Sequence, residues 1–257
     1  MIVTMPRIVL AEFNTHRAIS KPHEPDTEAA EWFEFSRNSA SSRAIPVERM
    51  IAAVEKNPYV PTTWGRNQAG MQESDEEIED ADEARADYLD GLRDALARAR
   101  RQARRGCHKQ LVNRGLEEYA WHTVLVSSTE WSNFFAQRCH PAAHPDIRIV
   151  AERMRDALAA SEPVERTYHV PFDPGQYEEG VRVRGTNQKI RIAIARCARV
   201  SYLTHDGKHD VDADLRLYDR LRNADPPHAS PFEHVAYAGE GKRNFRGWVQ
   251  ERERLGI

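Results

Sequence analysis

Phe35 to Ala44 reads F-S-R-N-S-A-S-S-R-A, and within it Ser36, Arg37, Asn38, Ser41, Ser42 and Arg43 fall inside eight positions. Hydroxyls, an amide and two guanidiniums at that density leave little apolar surface to bury and present many donors to an anion. Thr15-His16-Arg17 lies upstream and adds an imidazole and a further guanidinium. A serine-rich turn that caps a helix uses the same residue types, and this run alone does not separate the two readings. A second block, T-E-W-S-N-F-F-A-Q-R-C-H from Thr129 to His140, sets Asn133 and Arg138 five positions apart. On a helix that is an offset of about 140°, so the pair would line a cleft from adjacent turns. A third block, H-A-S-P-F-E-H from His228 to His234, groups imidazole, hydroxyl and carboxylate.

Other chemistries lack their loops. No G-x-G-x-x-G, G-x-x-x-x-G-K-[ST] or G-x-S-x-G occurs, which leaves dinucleotide, P-loop and nucleophile-elbow sites unsupported. Cys139, His140 and His144 are near neighbours, but Pro141 and Pro145 break the helix that would align the histidines. They read as surface residues, and no metal is expected. The cysteines, Cys107, Cys139 and Cys197, are odd in number and widely spaced, which fits a reducing compartment and inert thiols.

A net charge of −3 gives no global attraction to nucleic acid or membrane. An anionic ligand must therefore be held by a local cluster of arginines. The chain has 257 residues, 40% of them apolar and 30% charged, which suits one globular domain with a sizeable core. Glu12 soon after the first apolar stretch does not suit a signal peptide, and no stretch approaches the ~20 apolar residues of a membrane span. A cytoplasmic protein is expected.

The elements that must carry these residues are partly legible. Ile8–Phe13 is a short apolar run, strand or helix start. Ser20 to Ser36 is polar and proline-marked, an inserted excursion with a helical turn around Glu28–Phe33. The clearest helix is Ser74–Arg105: Ser74 caps it, Glu77 completes a capping box, and Ile78, Ala81, Tyr88, Leu92, Leu96 and Ala99 form its apolar stripe. Its acidic start, arginine-rich end and Gly106 stop suit the macrodipole, so the arginines read as solvated. Trp121–Thr129 reads as a buried strand or helix edge. Pro145–Ala160 is an amphipathic helix with Ile147, Val150, Met154 and Leu158 inward, and Ser161–Gly185 is a loop. Ile190–Val200 has helical spacing, and Val211–Arg222 is a helix with Leu215, Tyr218 and Leu221 inward, stopped by Pro226-Pro227.

Taken together, the polar blocks resemble one family. His16-Arg17 followed by S-x-N-x-x-S-x-R at Ser36, Asn38, Ser41 and Arg43 is similar to the R-H-R-x-x-S-x-N-x-x-S-x-R signature of flavin-dependent thymidylate synthases. N-F-F-A-Q-R at Asn133–Arg138 resembles the family's N-F-x-x-x-R. S-P-F-E-H at Ser230–His234 resembles its [ST]-P-F-E-H, and A-R-V-S at Ala198–Ser201 its A-R-V-S. L-V-N-R-G-L-E around Arg114 is a weaker match that needs a gap. The order differs from most members: A-R-V-S and S-P-F-E-H follow the arginine motif here, a circular permutation like that of phage-type members. N-F-R-G-W-V-Q-E-R at Asn244–Arg252 then continues the strand and helix that elsewhere lead into R-H-R.

The resemblance implies an α/β (α+β) domain spanning residues 1–257, with long helices on a mixed or antiparallel sheet and an inserted loop at about 21–35. It implies methylation of dUMP to dTMP, with 5,10-methylenetetrahydrofolate giving the carbon and NADPH reducing FAD. It also implies a homotetramer with sites shared between subunits, and neither nucleic acid nor membrane as partner. By position, Arg138 would polarise the uracil. Ser39, Ser41, Ser42 and Arg43 would hold the dUMP phosphate, with Arg114 reaching it from another subunit. Gln250 would contact the nucleotide, with Glu12 as its competitor. His16, Arg17, Asn38, Asn133, Ser201, Ser230 and Glu233 would contact FAD, and His228 would stand near flavin and folate.

Two departures accompany the match: Thr15 replaces the first arginine of R-H-R, and the excursion leaves either Ser20 or Ser36 as the motif's first serine. The alternatives are a nucleotide- or flavin-binding homologue without turnover and, behind it, a metal-dependent hydrolase.

Overall fold

The computed structural model describes residues 1–16, 19–20, 32–33, 35–70, 72, 74, 76–178, 181–202 and 210–257. The chain opens with β1 (Ile2–Pro6), Val3 and Met5 turned inward. A 3-10 turn and α1 (Leu10–Asn14) follow, so the undecided run from residue 8 is helical. Val9 and Phe13, one turn apart, fill its inner side. β2 (Ile19–Ser20) and β3 (Trp32–Phe33) pair antiparallel, Ile19 against Phe33 and Ser20 against Trp32. The two ends of the excursion therefore return together. At Trp32 and Phe33 the expected helical turn is strand instead, and the rest of that turn lies outside the described residues.

β4 (Ser36–Ser39) carries the first half of the polar run as a strand, and Ser41–Ala44 forms a turn ahead of the next helix, with Ala44 N–H donating to the Ser41 carbonyl at 2.8 Å. After it come α2 (Val47–Lys56), α3 (Ala81–Arg104) and the short α4 (Lys109–Val112). α3 starts seven residues later than its acidic stripe implies. Residues 64–66 compete for the upstream segment: Ile78 N–H donates to the Trp64 carbonyl at 3.0 Å, and Arg66 N–H to the Glu76 carbonyl at 2.8 Å. Ser74 then serves a turn, accepting from Glu76 N–H at 3.1 Å. The stripe itself is confirmed from Leu92 to Ala99, and Gly106 takes a positive φ of 76° just past the helix.

β5 (Trp121–Ser127) is the central strand of an antiparallel sheet ordered β1-β5-β4, with Ile2 and Asn38 flanking Leu125 from opposite sides. Its poor alternation has a cause: both faces are covered. Val124 and Val126 join Val3, Met5, Phe13 and Phe134, while Leu125 packs on Cys197 and Val200. The first cluster also takes Ile147, Val150 and Met154 from α6 (Pro145–Ala159), which follows α5 (Ser132–Arg138). Leu158 does not join them; it lies past the contact and is 39% exposed.

The stretch expected as a loop holds three short strands, β6 (Tyr168–His169), β7 (Tyr177–Glu178) and β8 (Val181–Arg182). α7 (Gly185–Arg199) is buried at every position from Ile192 to Ala198 and packs on α8 (Val211–Arg222), whose bounds match the sequence expectation. Asp214 of α8 receives Arg196 Nε at 3.1 Å and Arg199 Nε at 2.7 Å, so the cations inside this helix pair are matched. β9 (Ala236–Ala238) and β10 (Trp248–Gln250) build a second antiparallel sheet, ordered β10-β9-β6, and α9 (Glu251–Leu255) closes the chain. The class is α+β. No helix among the described residues is long and apolar enough to cross a membrane.

Gly241, between β9 and β10, lies so close to the Trp248 carbonyl that a Cβ there would overlap it. Backbone, unlike a flexible side chain, cannot swing aside. Gly241→Ala is expected to destabilise the protein by more than about 1 kcal/mol, read as a lower urea midpoint; an unchanged midpoint would show that this turn relaxes freely.

Candidate functional site

Asn38 gathers three of the sequence blocks. Alternation along β4 turns Ser36 and Asn38 inward, and Asn38 is 5% exposed. Its Oδ1 accepts Ser201 Oγ at 3.1 Å and Ser230 Oγ at 3.2 Å, and its Nδ2 donates to the Cys197 carbonyl at the end of α7. Ser41 N–H donates to the Ser201 carbonyl at 3.1 Å, so the same junction is tied again two residues past β4. Residues 38, 201 and 230 are thus brought to one amide from three separate elements.

Ser36 anchors a second knot. Its hydroxyl accepts Gln250 Nε2 at 2.8 Å and Asn244 Nδ2 at 3.1 Å. Gln250 Nε2 also donates to the Glu233 carbonyl at 2.7 Å, and the Glu233 carboxylate pairs with Arg252. Gln250 is 1% exposed, and its Oε1 has no partner among the described residues. Ser127 Oγ and His234 Nδ1 stand 3.0 Å apart beside this knot, and burial, more than any charge, pushes His234 down to about 3. Ser20 has only its backbone described, so Ser36 is the serine whose side chain can be placed.

Arg138 ends α5, as the block's helical reading requires. Its Nε donates to His16 Nε2 at 2.7 Å and its Nη2 to Thr15 Oγ1 at 3.0 Å, with the Glu12 carbonyl at 3.4 Å. His16 is 4% exposed and meets the Phe134 ring edge-on at 5.1 Å. Burial first, then the Arg138 guanidinium, lowers its pKa to about 4. A neutral ring that accepts at Nε2 carries its proton on Nδ1, which leaves one N–H to offer. Thr15, where the resemblance expects an arginine, orients Arg138 and donates to the Glu12 carbonyl at 2.6 Å.

The remaining expected residues do not converge on these knots. Asn133 accepts Gln137 Nε2 at 2.9 Å on the open side of α5. Ser39 is half-buried on β4, Ser42 is buried, and Arg43, Arg114 and His228 are exposed. The Ser42 carbonyl accepts Asn113 Nδ2 at 2.8 Å, which pins the 41–45 turn to the segment holding Arg114. Arg17 lies outside the described residues.

One cluster has no motif at all. Arg7 Nη1 reaches His122 Nδ1 at 2.6 Å, and Arg7 Nη2 pairs with Glu117 at 3.2 Å. Arg7 and His122 meet only because Met5 of β1 stands opposite His122 on β5. A separation of 115 residues leaves no local signal for that pairing.

No protein-family model matches the chain, and no curated protein or solved structure is found to match it. Two expectations follow from the geometry alone. Asn38→Ala strands the buried Cys197 carbonyl and frees two hydroxyls that can turn to water, and is expected to cost on the order of 2 kcal/mol in urea unfolding at an unchanged m-value. A loss below about 0.5 kcal/mol would remove Asn38 from its tying role. The second is acid sensitivity. His16 binds its proton at about 4 when folded and at 6.5 when unfolded. The unfolded chain therefore takes the proton first, and the His16 share of stability is lost as pH drops from 6.5 towards 4, with His122 and His234 adding their own loss over that range and below it. His16→Gln should flatten that window by roughly 3 kcal/mol; an identical pH profile in the variant would refute the shift.

Proposed function

We propose that the chain is a flavin-dependent thymidylate synthase, methylating dUMP to dTMP with 5,10-methylenetetrahydrofolate as carbon donor and NADPH as reductant through FAD. The observation that supports it best is the meeting of Asn38, Ser201 and Ser230 at one amide. Those three residues belong to three separate motif resemblances, and chance resemblances have no reason to converge in space. The permuted order has support as well. Asn14, just ahead of His16, accepts Arg37 Nη1 at 2.8 Å, while Asn244 bonds Ser36 at 3.1 Å. The two segments that resemble one region of the family thus both bond to β4, one on each of its faces.

The donor set fits a flavin nucleotide. His16 has an N–H left over, Ser201 and Ser230 keep acceptor lone pairs, and Arg43 has no ion pair among the described residues. FAD supplies hydride transfer when bound, a chemistry these side chains lack. The protein's part is positioning and charge. Arg138, fixed by His16 and Thr15, presents a planar two-donor fork to the uracil edge and stabilises charge developing there. Ser41, Ser42 and Arg43 hold the nucleotide phosphate, with Arg114 from another subunit of a homotetramer. Asn38 acts by fixing Ser201 and Ser230. Gln250 acts from beneath, through Ser36, rather than by touching the nucleotide. A flavin-binding homologue without turnover is the second reading, favoured by Thr15 in place of a cation.

Purified protein is expected to take up FAD, with its visible absorbance bleached by NADPH under nitrogen, and to form dTMP from dUMP and the folate. Arg138→Ala and Arg138→Lys should keep FAD and its reduction while dTMP formation falls about 100-fold or more. FAD uptake and bleaching without dTMP selects the second reading. Neither a bound spectrum nor a thermal shift at saturating FAD would overturn both.

A further inference from the structure

A cavity of about 420 Å³ opens between α2 and β5, and neither Asn38 nor either of its serine partners borders it. Met50, Ala53 and Val54 form its apolar wall, and Arg7, His122 and Ser42 its polar end. Its size suits a ligand of one fused ring system with a charged group, since small-molecule sites run from roughly 300 Å³ upward. The charges are unequal. Arg7, Arg49 and Lys56 face it against one carboxylate, Glu117, which Arg7 already holds at 3.2 Å.

Arg49 and Lys56 are the cations left over. They stand seven residues apart on α2, two turns along one face, both exposed and without an ion pair or hydrogen bond among the described residues. Glu55, their neighbour on the helix, is turned away to Arg100 at 2.7 Å. The inner end offers a fixed donor. His122 is 2% exposed, and burial, then Arg7, drops its pKa to about 3, so the ring is neutral. Arg7 Nη1 lies 2.6 Å from Nδ1 and 3.4 Å from Nε2, which makes Nδ1 the acceptor and puts the ring proton on Nε2.

We propose that this cavity binds a small amphipathic organic anion. Its ring lies against Met50, Ala53 and Val54, its phosphate or carboxylate sits between Arg49 and Lys56, and His122 Nε2–H donates from the inner end. A neutral donor inside and two unpaired cations outside give the site a direction: uncharged end in, charge out. The cavity shares Ser42 with the proposed phosphate site, but no residue of the Asn38 or Arg138 knots lines it, and the cations and donor it relies on are not part of the flavin reading.

Calorimetry of the full chain with four probes tests it: 2-naphthyl phosphate, 2-naphthoate, neutral 2-naphthol and inorganic phosphate. At least one naphthyl anion is expected to bind, the tighter one identifying the head group, with naphthol and inorganic phosphate roughly tenfold weaker or more. Arg49→Met with Lys56→Met should weaken the anion by at least roughly tenfold. Ala53 is exposed on α2, so Ala53→Trp fills the cavity from its rim and should abolish binding while circular dichroism and melting stay unchanged. Failure of both anions to bind at millimolar concentration overturns the proposal. So does equal binding of naphthol, or binding that survives Ala53→Trp. FAD does not enter these measurements, so a failed flavin reading leaves the result interpretable.

Discussion

A polar strand at the junction between the main sheet and the helices covering it must have every inward group matched, and the amide of Asn38 is where that condition is met. β4 has serine and asparagine at its inward positions, opposite Ser127 and Leu125 of β5. Buried without partners, those groups would cost the fold several kcal/mol. Asn38 avoids this by accepting from two hydroxyls and donating to the last turn of α7. Ser36 does the same toward Gln250 and Asn244. The first sheet, α7 and the second sheet therefore meet through amides and hydroxyls rather than aliphatic side chains. Such a junction tolerates one register only: sliding β4 by one residue would turn Arg37 and Ser39 inward, where no partner of matching geometry waits.

Charge inside the molecule follows one pattern. His16, His122 and His234 are all buried and all held neutral, burial being the first cause each time. Two of them face an arginine. A neutral imidazole can accept from a guanidinium and so fix its plane, which a protonated ring cannot do. His16 and Arg138 make such a pair, and so do His122 and Arg7. Where carboxylates are available the cations use them instead, as Arg196 and Arg199 do on Asp214. The histidine-held arginines differ in consequence. No carboxylate neutralises Arg138 among the described residues, so its charge remains available to a ligand, whereas Glu117 offsets that of Arg7.

Much of this was legible, and the divisions are physical. Elements with their own periodicity, such as α8 and the stripe of α3, declare themselves because their burial is set by nearby residues. The start of α3 was not legible, since residues 64–66 fold back on the segment before it and take its backbone bonds. Leu158 carries an inward spacing but extends past the end of its packing partner. At the site, a helical Arg138 was compatible with residue spacing, whereas Asn38, Ser201 and Ser230 were put together only by the family resemblance. The Arg7–His122 pair was not: strand register brings it together, and register is decided by hydrophobic faces and turns rather than by the paired residues.

Connectivity bears on the same junction. The bonds that define it span 159, 163 and 192 residues along the chain. Contacts that long carry no preference for block order, provided each strand and helix can reach its place. Two further ties, almost as long in sequence, lie close by. The amine of Met1 donates to the Val126 carbonyl at 2.8 Å, and Arg246 N–H donates to Thr129 Oγ1 at 3.0 Å. Met1 and the turn holding Arg246 thus rest on one stretch, the end of β5 and its exit. A rearranged order of blocks can therefore keep the same junction, because the elements bearing Asn38, Ser201, Ser230 and Gln250 meet through side chains and not through the loops between them. On the proposed reading, this is why the permuted motifs remain one site: the amide of Asn38 depends on register and burial, and neither changes when the chain enters the fold at a different strand.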